Sequence, residues 1–378
     1  MRGCGAKGRG TLAQGIFSIL KPRHHGQSGG MSSIHRPTVR EWLASEGGAM
    51  PFRRFMEAAL YDPRFGYYST RIPTVGARGD FSTSATLSTL LARAIASWIE
   101  REAPADCRHL IEIGPGNGML HRALRQALGW RSRWRWRSHL VERSSILRVE
   151  QRRTLGWLGR GVSWHYHPAA ALQAAGGCAI IFSNELVDAF PATLLQLHEG
   201  TWQEVWLELT ADGRVVETLR PPPDPGTGLV PDTFTAGQRV ECHASYRDWF
   251  LTWRPHWRSG AMLTIDYGDT ADRLYDRRPH GTLRGYHRHR SLEGLEIYRD
   301  PGHCDLTADV NFTDLMNWGM ASGMQTISLQ SQADFLAQYA NSQCKADEWL
   351  QDPHGAGNAF QCLVQRPVAT VSASAAGV

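Results

Sequence analysis

The hydrophobic positions of this chain follow two patterns. From His109 to Phe182, short apolar runs alternate with longer stretches whose apolar residues recur at helical spacing: His109 to Ile113 then a helix to Leu128, His139 to Val141 then a helix to Leu155, Val162 to His165 then a helix to Ala175, and Ala179 to Phe182. Four strands alternating with helices predict an α/β domain with a parallel sheet covered on both faces, and ligands of such sheets bind beyond the strands' carboxyl ends. Between Thr193 and Leu219 the pattern changes to runs resembling antiparallel strands, with turns at Glu199-Gly200 and Asp212-Gly213, before Pro221 to Pro231 breaks regular structure. The α/β pattern then resumes with a helix near Tyr246 to Trp257, a strand Ala261 to Asp266, a long loop to about Leu306, a helix near Phe312 to Ala321 and closing elements up to Val364.

Upstream, Thr38 is placed to cap a helix running through Trp42, and Phe52, Phe55, Met56 and Ala59 sit at helical spacing in Phe52 to Tyr61. The turn DPRFGYY follows, with Tyr67 and Tyr68 expected in packing. GDFSTS (Gly79 to Ser84) leads into a helix Leu87 to Glu100 and reads equally well as a ligand-binding turn or an N-cap. The expected organisation is a tail over 1–36, an N-terminal helical cap over 37–104, the core in two parts over 105–200 and 236–367, a β-rich insertion over 201–235 and a tail over 368–378.

The most specific chemistry lies at the end of the first core strand, LIEIGPGNGML (Leu110 to Leu120). Gly114, Gly116 and Gly118 let the backbone turn sharply and admit a ligand close to the peptide groups and the next helix N-terminus. A dinucleotide loop needs G-x-G-x-x-G, whereas here the third glycine comes one residue early and Met119 fills its slot. With Glu112 two positions ahead, the loop suits a ligand that carries a cation and no phosphate, a description S-adenosylmethionine meets.

The later strands also end in polar groups. Glu142 follows the second strand, 26 residues after Gly116 (142 − 116), close to the spacing of an acid that holds a ribose diol, a reading this spacing favours over a simple cap on the next helix. Ser183-Asn184-Glu185-Leu186-Val187-Asp188 follows the fourth, and capping explains one of its polar residues, not three. Asp266-Tyr267-Gly268-Asp269 follows the fifth, and beyond it GTLRGYHRH carries Arg284, Tyr286 and His287.

Composition narrows the chemistry. Only Lys7, Lys21 and Lys345 are lysines, leaving 41 − 3 = 38 arginines, and none of the three stands where a Schiff base, a Walker A loop or a protein kinase needs one. The net charge of +5 is concentrated in the seven basic residues that precede Glu41, so the near-neutral body argues against a nucleic-acid partner. The cysteines form no C-x-x-C pair, no zinc spacing is present and no metal is expected. No apolar run approaches the roughly 18 residues of a membrane span. A bacterial cytoplasmic protein is expected, or a mitochondrial matrix protein if residues 1–30 are a transit peptide; that stretch also reads as a disordered tail, or as a start assigned too early with Met31 the true first residue.

LIEIGPGNGML, HLVERSSILRVEQ, FSNELVDAFP, LTIDYG, GTLRGY and PGHCDLTADVNF, with ALYDPRFGYY and GDFSTS upstream, occur in the order seen in the MidA family, which this chain resembles over roughly residues 37 to 365. The resemblance implies a class I methyltransferase Rossmann-like doubly wound sheet with an N-terminal helical segment and a β-rich insertion, and S-adenosyl-L-methionine as cofactor. The family includes the mitochondrial complex I assembly factor with protein-arginine methyltransferase activity, which implies a protein substrate presenting arginine. In that picture Asp80, Thr83, Glu112, Gly114, Gly116, Gly118, Glu142 and Asn184 surround the cofactor, and Glu112 meets its ammonium directly or through loop amides. Glu185 and Asp188 are the carboxylates that orient the guanidinium, while Asp266, Arg284, Tyr286 and His287 are candidates for substrate contact or proton removal. The chain departs from the family's pattern at Ala85 (usually Pro), Val187 (usually a bulky aromatic), Asp309 (usually His) and Asn311 (usually Asp). The rival readings are a cofactor-binding assembly factor without catalysis and a small-molecule methyltransferase.

Overall fold

The computed structural model describes residues 37–70, 89–287, 290–341, 347–348, 351–352 and 356–368. Its strands are β1 (Ala49–Pro51), β2 (His109–Ile113), β3 (Arg137–Val141), β4 (Val162–His165), β5 (Cys178–Asn184), β6 (Thr193–His198), β7 (Thr201–Leu209), β8 (Val215–Arg220), β9 (Arg239–Cys242), β10 (Ser259–Asp269), β11 (Arg284–His287), β12 (Arg290–Leu292), β13 (Asp305–Thr307), β14 (Val310–Asn311), β15 (Met324–Ser331) and β16 (Phe360–Pro367).

The central sheet has the order β15-β16-β10-β5-β2-β3-β4, with β14 added to the end of β10. β2, β3, β4, β5 and β10 run parallel, and β16 is inserted antiparallel between β10 and β15. The parallel strands are apolar on both faces because both are covered. Leu110, Ile180, Phe182 and Leu263 pack with the helices Leu90–Glu102, Met119–Ala127 and Gln332–Tyr339. Their neighbours Ile111, Ile181 and Met262 pack with Pro168–Ala174, Ala244–Trp253 and Phe312–Ala321. The strand order reverses at β2, which has β3 on one side and β5 on the other, so the crevice for a ligand opens at the carboxyl ends of these strands.

A second, antiparallel sheet holds β6 to β9, and β7 also pairs with β1 from the N-terminal segment. The helix Val39–Ser45 starts at a Thr38–Glu41 capping box, and with Phe52–Tyr61 it buries Trp42, Leu43, Phe55 and Met56 against Leu194, Val205 and Leu207 of this sheet. The N-terminal helices and the inserted sheet thus share one core. Where a long loop was expected before Leu306, β11, β12 and β13 form a small antiparallel sheet instead. These strands are three or four residues long and rich in charge, too short for the alternating pattern that betrays a strand.

Candidate active site

The turn after β2 takes its shape from glycine. Gly114, Gly116 and Gly118 have φ of +66°, +51° and +81°, a region side chains with a Cβ adopt at a cost. A Cβ on Gly116 would meet nothing within 4 Å, so this turn lines open space, while Gly118 opens the helix Met119–Ala127. Glu142, at the end of β3, accepts from the Ser144 amide at 2.8 Å, and burial raises its carboxyl above the usual range. Gln151, fully buried, ties the two together: its amide nitrogen donates to the Gly116 carbonyl at 2.8 Å and to Glu142 at 3.3 Å, while its oxygen accepts from the Trp164 indole at 3.0 Å.

Glu112 does not face the crevice. Its side chain shares the buried face of β2 with Leu110 and meets the Nδ1 of His121 at 2.8 Å from the helix that follows the loop. The expected direct contact with a ligand ammonium is therefore corrected: Glu112 braces the loop from beneath.

The second group of residues forms after β5. Glu185 has a positive φ of +52°, an outlier for a residue with a side chain. The loop is held by Asp266, whose Oδ2 accepts from the amides of Leu186 at 3.1 Å, Val187 at 2.8 Å and Asp188 at 3.5 Å, while Oδ1 accepts from the Tyr267 amide at 3.0 Å. Asp266 is completely buried, and burial followed by the charge of Asp188 pushes its carboxyl well above the usual range. The expectation that Asp266 contacts substrate is corrected accordingly: it positions the loop from below. Val187, where the family has an aromatic, is the buried apolar anchor of the same loop.

Held this way, the loop presents polar groups. Asn184 donates to Glu185 Oε1 at 2.9 Å, and the Tyr267 hydroxyl donates to Oε2 at 3.3 Å. Asp188 accepts from Thr307 at 3.1 Å, and burial raises its carboxyl to about 6. The Oδ1 atoms of Asn184 and Asp188 are both buried and accept nothing from the protein. Tyr68 donates to Asp305 at 2.9 Å, and its neighbour Tyr61, with ring centroids 5.6 Å apart, donates to the Ala189 carbonyl at 2.7 Å. The N-terminal helices thus supply one phenol to this loop and a second to β13. The loop also abuts the glycine turn, since a Cβ at Gly114 would lie 2.8 Å from the Leu186 side chain. Two polar subsites therefore share a wall.

Arg284 and Tyr286 belong to the same neighbourhood. Arg284 donates to Asp309 at 2.6 Å, the Tyr286 hydroxyl at 2.9 Å and the Thr282 carbonyl at 3.0 Å. Burial alone would lower its guanidinium, but Asp309 and Tyr286 hold it above its ordinary value. Asp309, in the family's histidine position, joins Arg284 to Arg278 at 2.8 Å, and these two cations keep its carboxyl below the usual range against the opposing effect of burial. Asn311 caps the helix Phe312–Ala321 by accepting from the Thr313 amide at 3.1 Å.

His287 is not brought in. It follows Tyr286 on β11, and alternation along a strand turns it to the opposite face, where Nδ1 meets the His303 carbonyl at 2.9 Å. Its expected catalytic place is corrected for that reason. Asp80 and Thr83, expected at the cofactor, lie outside the described residues. Among the described residues no group of three or more His, Cys, Asp and Glu side chains is arranged to hold a metal, and no helix is long and apolar enough to cross a membrane. Gln151, Tyr61, Tyr68, Tyr267, Asp305 and Thr307 were not anticipated; for Gln151 the available signal was its helical spacing with Leu147 and Leu155 on the inward face.

The model of a family of S-adenosyl-L-methionine-dependent methyltransferases, described as putative, matches residues 90–330. The chain belongs to this MidA-like family. Such a methyltransferase uses S-adenosylmethionine, in keeping with the non-dinucleotide spacing of the glycine turn. Among its relatives is the mitochondrial protein arginine methyltransferase NDUFAF7 of Danio rerio, 27% identical over an alignment that covers 87% of each chain. The NDUFAF7 homologue of Drosophila melanogaster is 25% identical over 307 residues, 70% of this methyltransferase and 65% of the fly protein. A solved structure of a likely methyl transferase from Burkholderia thailandensis, bound to S-adenosyl-homocysteine, superposes with a TM-score of 0.71 at 25% identity and covers 96% of this chain and 95% of its own.

Proposed function

We propose that this methyltransferase modifies the guanidinium of an arginine on a protein substrate. The observation that carries the proposal is the pair of carboxylates, Glu185 and Asp188, held on a rigid loop against the glycine turn. A guanidinium is planar, always charged and matched to carboxylates in pairs. The cation already in this neighbourhood, Arg284, has its own carboxylate partner in Asp309. The naming of the relatives as arginine methyltransferases supports the same acceptor.

The residues fit the cofactor. Gly116 borders open space, Glu142 is half-buried with oxygens suited to a ribose diol, and Asn184 has a buried oxygen without a donor. When bound, the cofactor would supply a methyl group activated by its sulfonium, passed to the acceptor nitrogen as the carbon–sulfur bond breaks and the bonding pair stays on sulfur. The protein's part is alignment and exclusion of water. Glu185 orients the guanidinium so that one nitrogen lone pair faces the methyl carbon. That nitrogen must give up a proton as the new bond forms, and Asp188, with its carboxyl raised to about 6, accepts it more readily than an ordinary aspartate. Tyr61, bonded to Ala189, and Tyr68, bonded to Asp305, would shield the acceptor.

The test is mass spectrometry of arginine methylation in cell extracts with and without the gene. Methylarginine peptides that vanish in the deletion and return when purified protein and cofactor are added support the acceptor. Unchanged arginine methylation beside cofactor binding removes the acceptor and leaves the enzyme class in place.

A further inference from the structure

At the amino ends of the sheet strands, a strand's length from the active site or about 15 Å at 3.3 Å per residue, the surface has a different character. The helix Met119–Ala127 runs down from the glycine turn and ends in a short helix, Gly129–Arg135, before β3 begins at Arg137. Next along the sheet, Ser145–Leu155 ends in the 3₁₀ turn Gly156–Gly159 before β4. Both turns therefore lie at this one end. Each displays tryptophan to solvent: Trp130 is 63% exposed, Trp134 85% and Trp157 69%.

Such exposure of the largest apolar side chain is unusual in a surface turn, and the sequence around it is basic. GWRSRWRWR, Gly129 to Arg137, has arginine at every second position from Arg131 and no acid, and the exposed Arg160 follows the second turn. Of the acids at this end, Glu100 accepts from Ser132 at 2.9 Å, and Glu102 pairs with Arg366 at 2.6 Å. The short helix is fixed in place by that Ser132 contact and by Trp136, which is buried in the core with the Arg135 guanidinium over its ring at 5.1 Å.

We infer that this end of the molecule docks onto an anionic lipid surface. Indoles settle at headgroup depth, where the ring meets acyl chains and the N–H meets water, and they need no complementary pocket there. Arginines beside them pair with lipid phosphates, each worth about 1 kcal/mol near such a surface, or about fivefold in binding. The two turns are separate segments whose indoles share one end of the domain, an arrangement suited to a flat partner. Docking here leaves the carboxyl ends of the strands, and the crevice, facing away from the lipid.

The experiment is co-sedimentation of the full chain with vesicles of phosphatidylcholine alone and of phosphatidylcholine mixed with phosphatidylglycerol. Wild type is expected to sediment with the anionic vesicles at least about tenfold more strongly than with the neutral ones, and to be released by salt. Trp130→Ala with Trp134→Ala, and separately Arg135→Gln with Arg137→Gln, should each cost about tenfold in vesicle affinity while S-adenosylmethionine binding, read by calorimetry, stays unchanged. Undiminished sedimentation of both variants would assign the binding to the basic residues ahead of Glu41, which all forms share, and overturn the inference. So would wild type that ignores anionic vesicles, including the case in which it retains only an acidic protein or nucleic acid.

Discussion

The proposed donor and acceptor sides of the site are built in opposite ways. The glycine turn is shaped by residues within one stretch of chain: three positive-φ glycines, Glu112 with His121 beneath them, and Gln151 joining Gly116 to Glu142. The acceptor loop is shaped from a distance. Its amides are bound by Asp266, about 80 residues on, and its side chains are met by Thr307 and Tyr267, with Tyr61 holding the Ala189 carbonyl beside them. On the proposed assignment, recognition of the methyl donor is local in sequence, and recognition of the acceptor belongs to the tertiary fold. The two should fail separately.

The strongest test of that separation is Glu185→Ala, for which kcat should fall about 10³-fold or more while cofactor affinity, measured by calorimetry, changes less than about twofold. Loss of both together would show that the subsites are not independent. Gly116→Val is the reverse case: a β-branched residue at φ +51° strains the turn and fills its open space, so cofactor affinity should drop about 100-fold. Tight binding by this variant would remove the turn from the donor site. Asp266→Ala leaves buried amides without their acceptor and should cost roughly 2–3 kcal/mol in denaturant-induced unfolding, with the loss of activity exceeding any loss of cofactor affinity.

The pH profile sharpens the acceptor side. Because burial lifts Asp188 to about 6, its carboxylate form is present above that pH and lost below it. Activity should therefore fall about tenfold per pH unit below 6, and Asp188→Asn should abolish that limb along with most of the rate. A profile flat to pH 5 would assign the proton to another group. The smallest effect is expected for His287→Ala, less than about threefold in kcat/KM, since β11 points it away from the carboxylates.

What could be read from the sequence follows the same division. LIEIGPGNGML was legible because a strand, a turn and a helix start fall within eleven residues, and Glu142 because it ends the next strand. Glu185 and Asp188 stood out as charges where a buried strand ends. Asp266 was visible for the same reason and misplaced, because sequence does not show which side of a loop a carboxylate takes. The segment holding His287 was expected within a long loop, and β11 became evident only through its pairing with β12 and β13. Tyr61, Tyr68, Asp305 and Thr307 lie in motifs that carry the resemblance, but nothing local placed them at the site, since their meeting depends on how the N-terminal helices and the small sheet pack together.

The attachment of the acceptor loop to Asp266 also bears on how such an enzyme can change over generations. Asp266 grips Leu186, Val187 and Asp188 through backbone N–H groups, which every residue but proline possesses. Side chains at the solvent-facing positions can therefore be exchanged without dismantling the loop that displays them. On the proposed assignment, exchange of the Asp188 side chain would alter how an acceptor is met while the aspartate beneath keeps its grip on the backbone of the loop.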